Sequence, residues 1–171
     1  MENTNAGAYE YVTLQPSLLI NRLYTVHYFE YMNDFSFPGE SHDFWEIIYV
    51  DKGRASGING TEPYTLEKGQ IIFHHPNVFH NFRTDGAPDA EDGADCDIFV
   101  VSFNGELEML EQFRDHIFTL SMHERHLFRE MIEEGKQVYD KPFGKNLVYR
   151  KDAPHEPEHL PGAKQMIRNL L

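Results

Sequence analysis

From Tyr24 to about Phe103 the apolar positions come in short runs of β-branched and aromatic residues, broken by Gly, Pro, Asn and Asp. No 3.6-residue period runs through them, which predicts an antiparallel all-β unit. Strands are expected at Tyr24 to Asn33, Phe44 to Val50, Arg54 to Asn59, Pro63 to Glu67, Gln70 to His74, Phe79 to Thr84 and Asp97 to Phe103. That number suffices for a sandwich or small barrel. Asn59-Gly60 and Lys68-Gly69 read as tight turns. Residues 85–97 hold six acids among Gly, Ala and Pro and read as a solvated loop, with a calcium site as the less favoured alternative.

After Gly105 the period changes. Leu107, Leu110 and Phe113 are spaced for one helical face, and a longer helix follows a break near Thr119. Ser121 and Glu124 fit a reciprocal capping box at its start. Its apolar face is Phe128, Met131, Ile132, Gly135, Val138 and Tyr139, which must lie on the back of the β-unit or on a partner. Residues 142–161, rich in Pro, His and charge, read as a loop. Ala163, Met166, Ile167, Leu170 and Leu171 form a last apolar stripe without a C-terminal cap, as if a helix led onward. The expected organisation is a β-barrel over 1–104, helices over 105–141, a loop over 142–161 and the opening of a further helix over 162–171.

Composition narrows the function. In 171 residues, 15 Lys and Arg stand against 28 Asp and Glu, a formal net charge of −13. Such a chain repels phosphate backbones and anionic lipid. Between Glu106 and Lys141 nine acids meet five bases, the wrong sign for a recognition helix. The single cysteine, Cys96, allows no internal disulfide, and no basic-then-apolar leader or membrane-length apolar run stands out. A cytoplasmic protein with no membrane partner is expected. Gly-rich phosphate loops, a G-x-S-x-G elbow and a Cys-x-x-Cys pair are all missing.

Candidate chemistry gathers around His42, Glu46 and His80. Two imidazoles and a carboxylate suit iron, manganese, nickel or zinc, with Glu40 as a fourth ligand. On a straight strand, residues four apart lie about 13 Å apart at about 3.3 Å per residue, so His42 and Glu46 could share an ion only if the strand bends. The alternative, preferred here, is a metal-free polar interior. Strand parity turns His42, Phe44, Glu46, Ile48 and Val50 inward and Trp45, Ile47 and Tyr49 outward, with His80 and Phe82 also inside. Aromatics with a few convergent polar groups make a plausible ligand-binding wall of His42, Phe44, Glu46, Ile48, His80 and Phe82. A filled core is equally compatible with any one aromatic. Of the adjacent His74 and His75, at most one can face the site. His116, His123 and His126 are expected on the surface.

His42-Asp43-Phe44-Trp45-Glu46 with Gly53, then Gly69, Pro76 and His80, resembles the two cupin motifs. Glu40 stands where the first motif has a histidine, and Asn77 where the second has a glycine. The order of these segments, followed by Phe113 to Lys136 and then Gly162 to Leu171, is similar to the N-terminal sensor domain of AraC-type transcription regulators. The resemblance implies a mainly β fold with some α, a cupin-like double-stranded β-helix (jelly-roll barrel) followed by a helical tail. It also implies a small-molecule effector, such as a sugar, in the barrel, no catalysis and no required cofactor. Dimerisation through the helices is implied too, and since symmetric dimers are the commonest oligomers the expected contact is a helix pair using Leu127, Met131 or the stripe with Met166, Ile167 and Leu170. DNA would be bound only through a helix-turn-helix half outside this chain. The rival reading is a metal-dependent cupin enzyme of oxygenase or isomerase type, with a divalent metal on His42, Glu46, His80 and Glu40.

Overall fold

The computed structural model describes residues 12–13, 19–32, 34–85, 95–106, 108–138 and 168–171. Nine strands lie among them: β1 (Leu19–Met32), β2 (Ser36–Glu40), β3 (Trp45–Lys52), β4 (Arg54–Asn59), β5 (Glu62–Glu67), β6 (Gln70–His74), β7 (His80–Asp85), β8 (Cys96–Glu106) and β9 (Ile117–Thr119). A 3-10 helix spans Glu108–Phe113, and the helix α1 spans Met122–Val138. The strands form two antiparallel sheets, ordered β1-β8-β3-β6-β9 and β2-β7-β4-β5.

Alternation along β3 divides the core in two. Ile48 and Val50 point between the sheets, where they pack with Ala55, Leu66, Ile72, Phe82 and Ile98. Trp45, Ile47 and Tyr49 point to the other face and pack with Phe99, Val101, Phe103, Leu120, Met131 and Ile132. Because both faces are covered, positions 45–50 are all buried and, apart from Glu46, all apolar. The predicted parity holds throughout it.

The outer cover is largely α1. At its start the Ser121 N–H donates to Glu124 Oε2 at 2.6 Å and the Glu124 N–H to Ser121 Oγ at 3.3 Å, the reciprocal cap expected from the sequence. Gly135 lets the helix approach β1 closely, since a Cβ there would lie 2.6 Å from Val26 Cγ1. Met131, assigned to a dimer face, is 1% exposed and packs inside its own chain, so it is not free to meet a symmetric partner. Leu170 also packs on this core with Leu171, residues 168–170 being helical, and Leu127 is half-buried. Met166 and Ile167 lie outside the described residues, as do residues 142–161, most of the acidic loop and the first part of 162–171.

Two strands were not expected. β2 reads Ser36-Phe37-Pro38-Gly39-Glu40, with Pro and Gly that suggest a loop, but it is an edge strand and tolerates both. β9 returns to pair with β6 beyond the point where only helix was expected, and the 3-10 helix Glu108–Phe113 replaces the expected α-helix. Cys96, assigned to the acidic loop, instead opens β8 and is buried between the sheets. Gly60 (φ 65°) and Gly69 (φ 82°) make the turns, and Asn59 is the last residue of β4 rather than a left-handed turn residue.

Candidate functional site

Glu46 is the one charged side chain that β3 turns between the sheets. Its cross-strand partners are Ser102 on β8 and His74 on β6, and Ser102 is in turn paired with Thr25 on β1. Register therefore lines up Thr25, Ser102, Glu46 and His74 across four neighbouring strands. Ser102 donates its hydroxyl to Glu46 Oε2 at 2.8 Å. Its oxygen lies 2.5 Å from Thr25 Oγ1. With the Ser102 proton committed to the carboxylate, Thr25 is the donor in that second contact.

The facing sheet supplies His80, the first residue of β7, opposite Glu40 of β2 in register. His42 arrives by a bend. The chain turns at Asp43 and Phe44, ahead of β3, and brings His42 Nε2 to 3.7 Å from Glu46 Oε2. The straight-strand separation of about 13 Å is thereby removed. On the other carboxylate oxygen, Oε1, His80 Nε2 lies at 3.4 Å and His74 Nδ1 at 3.7 Å.

Proton positions follow from the backbone. His42 Nδ1 lies 2.9 Å from the Phe44 carbonyl and His80 Nδ1 lies 3.0 Å from the Val78 carbonyl. A carbonyl can only accept, so each Nδ1 carries a proton and each Nε2 is turned towards Glu46. Neither Nε2 has a hydrogen-bond partner, nor does either ring nitrogen of His74. Burial pushes the Glu46 carboxyl up, but the facing His42, His74 and His80 outweigh it and hold it well below the usual carboxylate range. Burial pulls His80 down and Glu46 more than restores it, so its net shift is upward. His74 is lowered, because burial outweighs the pull of Glu46.

One donor atom from each of Glu40, His42, Glu46 and His80 lies within 4.8 Å of the others. Ligands about 2.0–2.2 Å from a transition-metal ion are about 3–4 Å from one another, so this cluster is close to the size an ion needs. The ring of His42 is fixed by stacking on Phe44 at 3.8 Å, and Phe44 stacks on Tyr24 at 4.0 Å.

Of the residues expected to line a ligand site, His42, Glu46 and His80 come together, with Phe44 half-buried beside them. Ile48 and Phe82 are inside as expected, packed in the core between the sheets. The sequence reading missed Ser102 and Thr25, and left His74 open as the one of the His74–His75 pair that could face the site. The signal for His74 was its two-residue step from the inward Ile72. His75 is half-buried, its Nδ1 3.0 Å from the Pro76 carbonyl, and His116, His123 and His126 are exposed as expected.

Two antiparallel sheets enclosing a carboxylate and imidazoles at one end of their interior define a barrel of the cupin class. Residues 23–170 match the AraC-like ligand binding domain, and the chain belongs to that family. Among curated proteins it is similar to the HTH-type transcriptional activator RhaS of Pectobacterium carotovorum subsp. carotovorum, 38% identical over 48 residues, or 28% of this chain and 17% of that protein. RhaS of Yersinia pestis is 35% identical over 49 residues, 29% of this chain and 18% of that protein. The matched stretch thus spans less than a fifth of those relatives. Apo ToxT from Vibrio cholerae shares the fold with a TM-score of 0.51 at 9% identity, over 88% of this chain and 53% of that one.

Proposed function

We propose that this chain is the effector-sensing part of a transcription regulator, and that the effector binds against Glu46, His42 and His80. The observation that carries the reading is a buried carboxylate ringed by imidazole nitrogens that have no hydrogen-bond partner in the protein. Buried polar groups are normally satisfied, and a site that leaves several open is one prepared for a ligand. A hydroxyl-rich small molecule, such as a sugar, can donate to the carboxylate and hydrogen-bond the open Nε2 atoms while stacking on Phe44 or Tyr24. The barrel then acts as a cytoplasmic binding module and not as an enzyme, with DNA contact, at net charge −13, left to residues outside this chain. A homodimer would use Leu127 and the segment with Met166, Ile167 and Leu170.

Thermal melts against a panel of sugars and polyols test the effector assignment. A ligand at 100 times its Kd stabilises by about 2.7 kcal/mol and raises Tm by several degrees. The shift should appear in the native chain and vanish in Glu46→Leu. A panel without any shift would overturn the sugar assignment. Sequencing the gene beyond codon 171 tests the regulator reading, which requires a basic helix-turn-helix region in frame.

The same open nitrogens favour a second reading, a divalent transition metal held by His42, Glu46, His80 and Glu40. Bound there, it would polarise an oxygen of the bound small molecule. The protein's own contribution is orientation, since the Phe44 and Val78 carbonyls fix which nitrogen of His42 and His80 faces the centre.

A further inference from the structure

The groups that an effector must reach are closed off from solvent. Glu46 is 6% exposed, His74 0% and His80 1%, and the side chain of His42 only 8%. From this buried centre exposure rises along a stack of flat rings. His42 lies beside Glu46, Phe44 lies on His42 with centroids 3.8 Å apart and planes 7° from parallel, and Tyr24 lies on the other side of Phe44 at 4.0 Å and 15°. Phe44 and Tyr24 are half-buried, and Ser41 and Asp43, which flank His42 in the chain, are exposed. The stack is therefore the boundary between Glu46 and water on this side of the barrel.

Tyr24 is placed there by an irregularity in β1. Leu23 pairs with Phe103 and Thr25 with Ser102, so Tyr24 is one residue more than β8 can match. Such a bulge re-aims the extra side chain, and bulges recur beside functional sites for that reason. Phe44 lies in the bend between β2 and β3, outside both sheets, while the frame around it is pinned. The Asn77 N–H donates to the His42 carbonyl at 2.7 Å, and the Phe79 ring rests on Gly39, where a Cβ would come within 2.4 Å of it. Ring stacking is a weak restraint beside the strand ladders on either side, so the ring moves before the frame does. Resting on the effector reading above, we infer that Phe44 is the gate of the effector site, its ring bracketed by Tyr24 and His42 and displaced when an effector enters. Its departure uncovers one face each of Tyr24 and His42 next to the carboxylate. The slot it leaves takes a small molecule with a flat face and a hydroxyl-bearing edge.

The experiment treats the whole chain, without a polyhistidine tag, with diethyl pyrocarbonate, a probe of about monosaccharide size that acylates neutral imidazole, and follows each histidine by fragment mass spectrometry. In the native chain His74 and His80 should react at least roughly tenfold more slowly than the exposed His116, His123 and His126. Phe44→Ala should raise the rates at His74 and His80 by roughly tenfold or more and leave the three exposed histidines unchanged. Tyr24→Ala, which removes one bracket, should raise them in the same direction by less. If alanine at 44 prevents folding by circular dichroism, Phe44→Leu takes its place with the same expected direction. Met131→Ala, destabilised at a distance from the stack, should keep both histidines protected. Unchanged rates in the Phe44 variant, an equal rise in Met131→Ala, or a native chain whose His74 and His80 react like the exposed histidines would overturn the gate. The panel of sugars and polyols is then melted with the same Phe44 variant. Newly reactive histidines with no thermal shift in either protein would leave the gate standing and overturn the sugar assignment instead.

Discussion

Ser102 and Glu46, 56 positions apart in the chain, are cross-strand partners whose side chains meet in a fully buried hydrogen bond of 2.8 Å. Among the described residues it is the one side-chain donor aligned on a carboxylate otherwise surrounded by longer imidazole contacts. Removing it in Ser102→Ala should destabilise the chain by about 1.5–3 kcal/mol, the range for a hydrogen bond to a charged group. Urea unfolding at neutral pH measures this. Thr25→Val, one link further from the charge, should cost less than the serine variant.

Acid should weaken the protein through Glu46. Its folded-state pKa lies well below its ordinary 4.5. A depressed carboxylate contributes stability that is fully present above the unfolded value and is lost as pH falls through the folded one. Unfolding free energy should therefore fall steeply below about pH 4.5, and Glu46→Gln should flatten that limb. Parallel limbs for the two proteins between pH 3 and 6 would contradict the assignment.

Much of this arrangement was legible before any coordinates. Parity along β3 placed Glu46 and Ile48 on one side and Trp45 and Ile47 on the other, and Ser121 with Glu124 announced α1. Asn77, standing where the cupin motif has glycine, has φ 65°, and asparagine is among the few other residues that accept that conformation. The illegible part was long-range register. Nothing local in the chain says that Ser102 and His74 flank Glu46, because that follows from which strands pair. The bend at Asp43 and Phe44 was likewise unreadable, and it is what makes His42 and Glu46 neighbours.

Gly105 is required by close approach. A Cβ on it would stand 1.8 Å from the Leu19 carbonyl oxygen across the β1–β8 pair. Gly105→Ala should force those strands apart and cost about 1–3 kcal/mol, seen as a lowered Tm. An unchanged Tm would mean that the end of β1 moves freely.

Met131→Ala should cost about 2–5 kcal/mol, the range for emptying a buried core position. Sedimentation velocity on the folded variant should give the same oligomeric mass as the native chain, since Met131 packs within one chain. A drop from dimer to monomer would restore it to a subunit interface.

The burial of β3 on both faces has a mechanical consequence. Glu46 looks into the barrel, while the residues bonded to either side of it, Trp45 and Ile47, look out into the layer beneath α1. Inside and outside are thus separated by one peptide unit, about 3.3 Å along the strand. A shift of the β3 backbone at Glu46 would therefore also shift Trp45 and Ile47, its covalent neighbours on the outer face.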